Sequence, residues 1–444
     1  FNTNVNNSYY YNTNNNMLLY LPKPVKNIID GEISTKEYSN IDIEYYKSKL
    51  SFLIKNKFFG STKYKTVMNK RLSAKHIKKQ FASLNHIVFE VTENCNLKCK
   101  YCIYGDMYQH YDKRITKNLS AKRAKLLIDH LVKLWLSPNN LSINTTKLIS
   151  FYGGEPLLNF KFISEIVDYS KEIEKQTNIK FEFNMTTNGT LLLSNIDFFV
   201  KNNFQIAISL DGDEYSNQYR IFKNNEPAFN IIESNISELK NKYPVFFETN
   251  VVFMSVFHDK SNYTEIKDFF QKKFNKSSNF SELNPLINEE YANIKSKTII
   301  NNIKNPISEY KEHFYHAKYN FYVDLLDKTP ASKSVPTGTC YPFEKMVFLT
   351  ANNKLLFCQS IPHKYTIGNV SDSGVNINFK EIAQLYSSIF DKIKNQCAGC
   401  YMYKHCRKCI FYFDEKYNCD EHFNEIKFSK VIAKYINNYE ISCE

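Results

Sequence analysis

With 444 residues, 43% apolar and 23% charged, the chain holds enough material for two or three domains and a well-buried core. No apolar run approaches the roughly 18–20 residues that span a bilayer, and no secretory pattern stands at its start, so a membrane-spanning or exported protein is not expected. A net charge of +13 would suit nucleic acid. The lysines are scattered, however, with a modest concentration only in "KTVMNKRLSAKHIKKQ" (65–80) and no zinc-finger or RNA-binding signature beside it. The basic surface therefore reads as solvated helix faces, with an electrostatic dock for an acidic peptide as the second reading.

In chain order, residues 1–16, "FNTNVNNSYYYNTNNN", are polar, low in complexity and expected to be poorly ordered. Residues 17–84 hold a strand candidate, "MLLYLPKPVKNII", and the amphipathic "IEYYKSKLSFLIKNKFF", together a small α+β module. From 85 short apolar strands alternate with helical stretches. "HIVFEVT", "KLISFYGG", "KFEFNMTTNG", "QIAISLDG" and "VFFETNVVFM" are the strands; "SAKRAKLLIDHLVKLWL", "NFKFISEIVDYSKEIEKQ", "SNIDFFVKNN" and "FNIIESNISELKNKY" are the helices. About six such units predict a parallel sheet and a partial (β/α)6 barrel over 85–325, whose chemistry gathers at the C-terminal ends of the strands. Aromatics at helical spacing in "YKEHFYHAKYNFYVDLLDK" read as packing. Residues 336–425 are Cys-rich, and 426–444 predict a closing helix.

The eleven cysteines fall at 95, 99 and 102, at 340 and 358, at 397, 400, 406, 409 and 419, and at 443. In a chain of this size without an export signal they point to metal or cluster ligation in a reducing cytosol rather than to disulfides. The triplet in "ENCNLKCKYC" follows the first barrel strand. A redox pair would leave Cys95 unexplained. Structural zinc would need a fourth ligand, and the nearest candidate, His110, lies in a polar stretch. A [4Fe–4S] cluster held by three thiolates keeps one iron open to an exogenous ligand.

"CNLKCKYC" resembles the C-x3-C-x2-C motif of the radical S-adenosylmethionine (SAM) enzymes, including the aromatic Tyr101 before its third cysteine. The resemblance implies that Cys95, Cys99 and Cys102 hold the cluster whose open iron chelates SAM. Reduction of that cluster would cleave SAM to a 5′-deoxyadenosyl radical that abstracts hydrogen. "GGEP", Gly153, Gly154, Glu155 and Pro156, resembles the motif that reads the methionyl ammonium, with Glu155 accepting from it. "TTNGTLL", with Thr187 and Asn188, and "SLDG", with Ser209 and Asp211, resemble segments lining the ribose and the substrate side. Arg220 is the candidate for a SAM or substrate carboxylate.

The C-terminal cysteines resemble the SPASM domain, which carries two auxiliary [4Fe–4S] clusters in peptide-modifying members. Here "EKMVFLT" and "KLLFC" predict a hairpin around "ANN" that brings Cys340 and Cys358 to one end, with Asn353 where the family has glycine. Carried over by position, Cys397, Cys400, Cys406 and Cys419 would hold one cluster and Cys340, Cys358 and Cys409 the other. Its additional cysteine in some members falls here on Met346, and Cys443 is a candidate for the missing ligand. The separation of Cys406 and Cys409 departs from the family spacing by one residue. A closed zinc site in C-x2-C-x5-C-x2-C, hence a zinc-binding scaffold, is the non-enzymatic alternative, but it leaves Cys340, Cys358 and Cys419 without a role.

Two reactions compete. Sulfatase-maturing members, which make formylglycine, carry an aspartate after the cysteine that closes the hairpin; here that position is Gln359, which cannot take a proton. Members that mature ribosomally made precursor peptides form thioether, ether or carbon–carbon crosslinks, and many carry a leader-recognition (RRE-like) module of about the size of 17–84. The layout resembles the second group most. It implies a cytoplasmic enzyme, a leader-plus-core peptide as partner, an electron donor such as flavodoxin or ferredoxin, and neither nucleic acid nor membrane.

Overall fold

The computed structural model describes residues 1–3, 6–12, 17–59, 72–109, 111–112, 114, 116–142, 146–284, 286–291, 337–403, 406, 408–413, 416–419 and 422–443, the side chains of 282, 289, 434, 435 and 438–443 aside. His110, the aromatic stripe at 310–328, residues 65–71 of the lysine concentration and the Cys443 side chain lie outside these. The chain divides into two compact units, Phe1–Lys70 with Lys318–Thr339 and Ser388–Glu444, and Arg71–Ala317 with Cys340–Ser387.

In the first unit β1 (Ser8–Asn12) pairs antiparallel with β2 (Met17–Leu21), Ser8 opposite Leu21 and Asn12 opposite Met17. An unordered tail was expected over 1–16. The polar flanks conceal three consecutive tyrosines, strong strand formers, of which Tyr11 is buried against Phe428. Asn12 then pins the strand, donating to the carbonyls of Lys57 and Phe58 at 3.1 and 2.7 Å. The strand candidate at 17–29 ends at Leu21. Helix α1 (Lys23–Asp30) takes over because a proline in its first turn is pre-set for helix, and Gly31 closes it at φ +75°. Helix α2 (Asn40–Lys55) is capped by Ser39, which accepts from the Asp42 N–H at 3.2 Å.

The second unit opens with α3 (Ala74–Ala82) and then alternates: β3 (His86–Thr92), α4 (Ala121–Trp135), β4 (Thr146–Gly153), α5 (Phe160–Gln176), β5 (Lys180–Thr187), α6 (Ile196–Lys201), β6 (Gln205–Ser209), α7 (Phe229–Lys242), α8 (Pro244–Asn250), β7 (Val251–Phe257), α9 (Tyr263–Phe274) and β8 (Ser278–Glu282). Strands β3 to β8 are parallel neighbours in chain order, the six-stranded (β/α) sheet the alternation predicts. "VFFETN" is not strand, as expected, but helix α8, because Pro244 starts a turn and Phe246 and Phe247 are buried from it. Ala124, Leu127, Ile128, Leu131 and Trp135 bury one face of α4 at three- and four-residue steps. On β5, Phe181, Phe183 and Met185 point inward at alternate positions. Each such side chain contributes about 1.5–3 kcal/mol.

Beyond β3 the same sheet continues through β9 (Val347–Leu349), parallel to β3, and then β10 (Lys354–Leu356), β11 (Gly368–Ser371) and β12 (Gly374–Ile377), an antiparallel meander. The β9–β10 hairpin forms as predicted. Asn353 occupies the left-handed position of its turn at φ +64°, and its N–H donates to the Thr350 carbonyl at 2.9 Å. Helix α10 (Phe379–Ala398) gives its first part to this unit and its last part to the other. Helix α11 (Glu425–Cys443) buries Phe428, Ile432 and Ile436 with Met402, Phe423 and Tyr11 in the first unit. Among the described residues no helix is long and apolar enough to cross a membrane.

Candidate active site

Cys95, Cys99 and Cys102 lie on the loop leaving β3. The loop is held from two sides. One is the segment after β6: Leu97 pairs antiparallel with Phe222, the Lys98 N–H donates to the Ile221 carbonyl at 2.8 Å, and the Lys100 N–H to Tyr219 at 3.1 Å. The other is the end of β4, where the N–H groups of Gly154 and Glu155 donate to the carbonyls of Thr92 and Asn94, each at 2.8 Å. The approach at Gly154 is so close that a Cβ there would stand 1.9 Å from the Asn94 oxygen. Gly153 takes φ +139°, and a Cβ on it would meet the Thr92 oxygen at 2.5 Å. Two glycines thus lay the end of β4 directly on the cysteine loop.

The loop after β5 completes this side. The Asn188 amide donates to the Asn96 side chain at 2.8 Å and to Cys95 Sγ at 3.9 Å, and Asn96 donates to Thr190 Oγ1 at 2.8 Å. Asn96 and Thr190 were not singled out in the sequence. Their signal was only their adjacency to a cysteine and to "TTNG". Pro156 is buried at the start of a short 3-10 turn, and Ser209 is half-buried at the end of β6. The three strand ends therefore converge on the triplet.

Three of the predicted residues already have partners within the protein. Glu155, expected to receive the methionyl ammonium, is fully buried with its oxygens turned into the protein. Oε1 accepts from the Leu157 N–H at 3.1 Å and the Thr187 hydroxyl at 2.8 Å, and Oε2 from the Asn188 N–H at 2.7 Å. It ties the end of β4 to the end of β5. Asp211, also fully buried, accepts from Arg220 Nε and Nη2, both at 3.0 Å, from the Val256 N–H at 2.9 Å and from the Tyr101 hydroxyl. Arg220, expected to meet a free carboxylate, already holds that of Asp211. Sequence placed these charges beside the motif, but burial turned them inward, because a charge removed from water needs a partner.

Burial pushes the Glu155 carboxyl from its ordinary 4.5 up to about 7, against the three donors that favour its charge. The folded chain therefore holds this proton more tightly than the unfolded one. Its contribution to stability is fully present below about pH 4.5 and is lost as pH rises to about 7, by at most about 3 kcal/mol. Glu155→Gln is expected to flatten that part of the curve in urea melts between pH 4.5 and 7.5. An unchanged slope would reject the assignment.

Burial also raises the Cys95 thiol, and raises Cys99 to about 12 while Arg220 opposes it. A redox pair needs the reverse, a thiolate at neutral pH. Half-buried thiols grouped on one loop fit ligation, in which a metal supplies the positive charge that removes the protons. Arg114, also not anticipated, stacks on Tyr104 at 3.6 Å, donates to the Glu93 carbonyl at 2.6 Å and lies 2.6 Å from where a Gly154 Cβ would be.

In the same unit burial raises the Cys340 thiol, and the charges of Glu344 and Cys358 add to it. The other unit groups Cys397 with Cys400, Cys406 and Cys419, whose charges together with burial push the Cys397 thiol up to about 12. Gln396 fixes the last of these, accepting from the Cys419 N–H at 3.1 Å. Cys409 belongs to that unit also. Among the described residues no group of three or more His, Cys, Asp or Glu side chains closes on a single metal ion. A four-iron cluster takes its thiolates at separate corners and does not require them to meet at a point.

Residues 89–272 match the model of the radical SAM superfamily. The chain is 33% identical over 194 residues to a cysteine-type anaerobic sulfatase-maturating enzyme of Clostridium novyi, covering 43% of this chain and 49% of that enzyme. It is 22% identical over 411 residues to the radical SAM cyclopropyl synthase TigE of Paramaledivibacter caminithermalis, covering 87% and 79%. The structure of anSMEcpe with bound AdoMet and Cp18Cys peptide superposes with a TM-score of 0.56 at 16% identity, over 80% of this chain and 96% of that one.

Proposed function

We propose that this chain, whose residues 89–272 form a radical SAM domain, is an enzyme that oxidises a residue of a ribosomally made precursor peptide to form a crosslink. The observation that carries the reading is Gln359, directly after Cys358, where formylglycine-forming relatives carry an acidic base. An amide cannot accept the proton that such a reaction releases. Likeness to TigE over 87% of the chain supports the same reading.

Cys95, Cys99 and Cys102 would hold the SAM-binding [4Fe–4S] cluster, and the other seven assigned cysteines two auxiliary clusters. When bound, the reduced cluster and SAM supply a 5′-deoxyadenosyl radical able to take hydrogen from an unactivated carbon. The protein's own part is placement. Gly153 and Gly154 bring the β4 end against the cysteine loop, Glu155 locks it to Thr187 and Asn188, and Asn188 sets Cys95. The peptide would lie across the strand ends, its leader engaging the module at 17–84, with flavodoxin or ferredoxin supplying electrons.

The second reading, formylglycine formation, is favoured by the 33% identity to the sulfatase-maturating enzyme. Co-expression with a small peptide encoded beside the gene, followed by mass spectrometry, separates the two. Loss of about two hydrogens from that peptide is expected. An unchanged peptide, together with conversion of a cysteine-containing sulfatase peptide, would transfer the assignment to the second reading. Anaerobic reconstitution that gave a colourless zinc protein without SAM cleavage by dithionite would reject both.

A further inference from the structure

The antiparallel run of 97–100 against 219–222 has an electrostatic consequence. Leu97 faces Phe222, and the Lys98 and Lys100 N–H bonds to Ile221 and Tyr219 bracket the next pair, so Cys99 stands opposite Arg220. Directly opposed residues of an antiparallel ladder present their side chains on the same face, with Cβ atoms about 4.5–5.5 Å apart. Arg220 is 6% exposed and fixed at Nε and Nη2 by Asp211, itself fully buried. Its guanidinium also lies 5.4 Å from the centre of the Tyr101 ring, which sits between Cys99 and Cys102 in sequence and gives its hydroxyl to the same Asp211. Of the other titratable groups here, His258 has Nε2 3.9 Å from Asp211 Oδ2 and no hydrogen-bond partner for that nitrogen among the described residues, while its Nδ1 lies 4.0 Å from Asp259 and Tyr219 packs on its ring. Burial lowers the His258 pKa, so it adds no charge at neutral pH.

Resting on the reading that the triplet carries an iron–sulfur cluster, we propose that Arg220 and Asp211 are positioning residues that set the reduction potential of that cluster. Arg220 holds one positive charge against the Cys99 corner, and Asp211 both orients that charge and limits its field. A cluster held by three thiolates carries net negative charge that grows on reduction, and buried charges are weakly screened. A cation beside one corner therefore favours the reduced form, and an unopposed anion disfavours it. The tyrosine between the ligands joins the same carboxylate, so loop geometry and loop electrostatics share one anchor.

The pair predicts shifts of opposite sign, which a merely structural role does not. The reconstituted full-length chain is titrated under anaerobic conditions and followed by electron paramagnetic resonance, the signal perturbed by adding SAM identifying the cluster concerned. Asp211→Asn leaves the Arg220 charge unopposed and is expected to make the midpoint potential more positive. Arg220→Gln is expected to make it more negative, and the double variant to return toward the wild type. Two single variants that move in one direction, or do not move, overturn the inference. Should Arg220→Gln assemble no cluster, Asp211→Asn against the double variant carries the same test, the double lying more negative; should Asp211→Asn fail, Arg220→Gln against wild type does. Loss of iron in all three variants assigns the pair a purely structural role and overturns it. A wild-type chain without any SAM-perturbed cluster removes the underlying reading instead.

Discussion

Replacing Cys99 by alanine is expected to remove about four of the roughly twelve irons of a fully loaded chain and to lower SAM cleavage at least a thousandfold. Three thiolates are the minimum that leaves one iron open while fixing the other three, and Cys99 sits at the centre of the ladder that holds the loop to 219–222. With two ligands the cluster loses a corner, and the two remaining thiols, of which Cys95 is raised by burial, have no metal to deprotonate them. Cys358→Ala provides the contrast. It is expected to lose a similar share of iron but to retain SAM cleavage, with the peptide left unmodified, because the proposed assignment gives the hairpin cysteines to a different ligand set. Iron analysis, the visible spectrum and chromatography of 5′-deoxyadenosine read both. SAM cleavage by Cys99→Ala above a tenth of the wild-type rate would remove the triplet from its assigned role.

The barrel was legible because each of its strands and helices carries its own period, and because functional loops must follow strands in a parallel sheet. The cysteine spacing was legible for a related reason: ligands on one loop, or on one hairpin turned by an asparagine at positive φ, are brought together by local structure. The charged residues were not. Glu155 and Asp211 each stand beside a recognisable motif, and Leu157 and Arg220 are partners near in sequence, but the others are Thr187 and Asn188 in one case and Tyr101 and Val256 in the other. Those other partners lie more than thirty positions away, and only the assembled sheet brings them near. An acidic residue near a ligand site and one that braces it look alike until burial is known. Residues 8–12 show the same limit in reverse, since the packing of Tyr11 on Phe428 and the bonds from Asn12 to residues 57 and 58 outweigh a composition that reads as unordered. Pro244 likewise starts a helix where Phe246 and Phe247 read as strand, so the strand begins only at Val251.

Gly154→Ala should separate the folding of the β4 end from its proposed part in SAM binding. The new Cβ would stand 1.9 Å from the Asn94 carbonyl oxygen and 2.6 Å from Arg114 Nη1. Arg114 can swing away; the Asn94 carbonyl cannot, because it accepts the Glu155 N–H at 2.8 Å and directly precedes Cys95. The strain therefore falls on the junction of the two loops and pushes the glycine loop off the cysteine loop. A stability loss of about 1–3 kcal/mol is expected, the usual cost of overpacking a closed contact. SAM affinity should fall at least tenfold, since backbone groups that read a small ligand lose it with displacements near 1 Å. Gly374→Ala is the control. Its φ of +116° makes an alanine strained, but no atom lies within 4 Å of the added Cβ, so folding stability should drop while SAM affinity stays at the wild-type value. Equal losses of SAM affinity in both variants, read by isothermal titration calorimetry on reconstituted protein, would mean that general destabilisation rather than contact with Asn94 governs binding. If only Gly154→Ala weakens SAM, the two loops work as one surface, held at a separation that only a glycine allows.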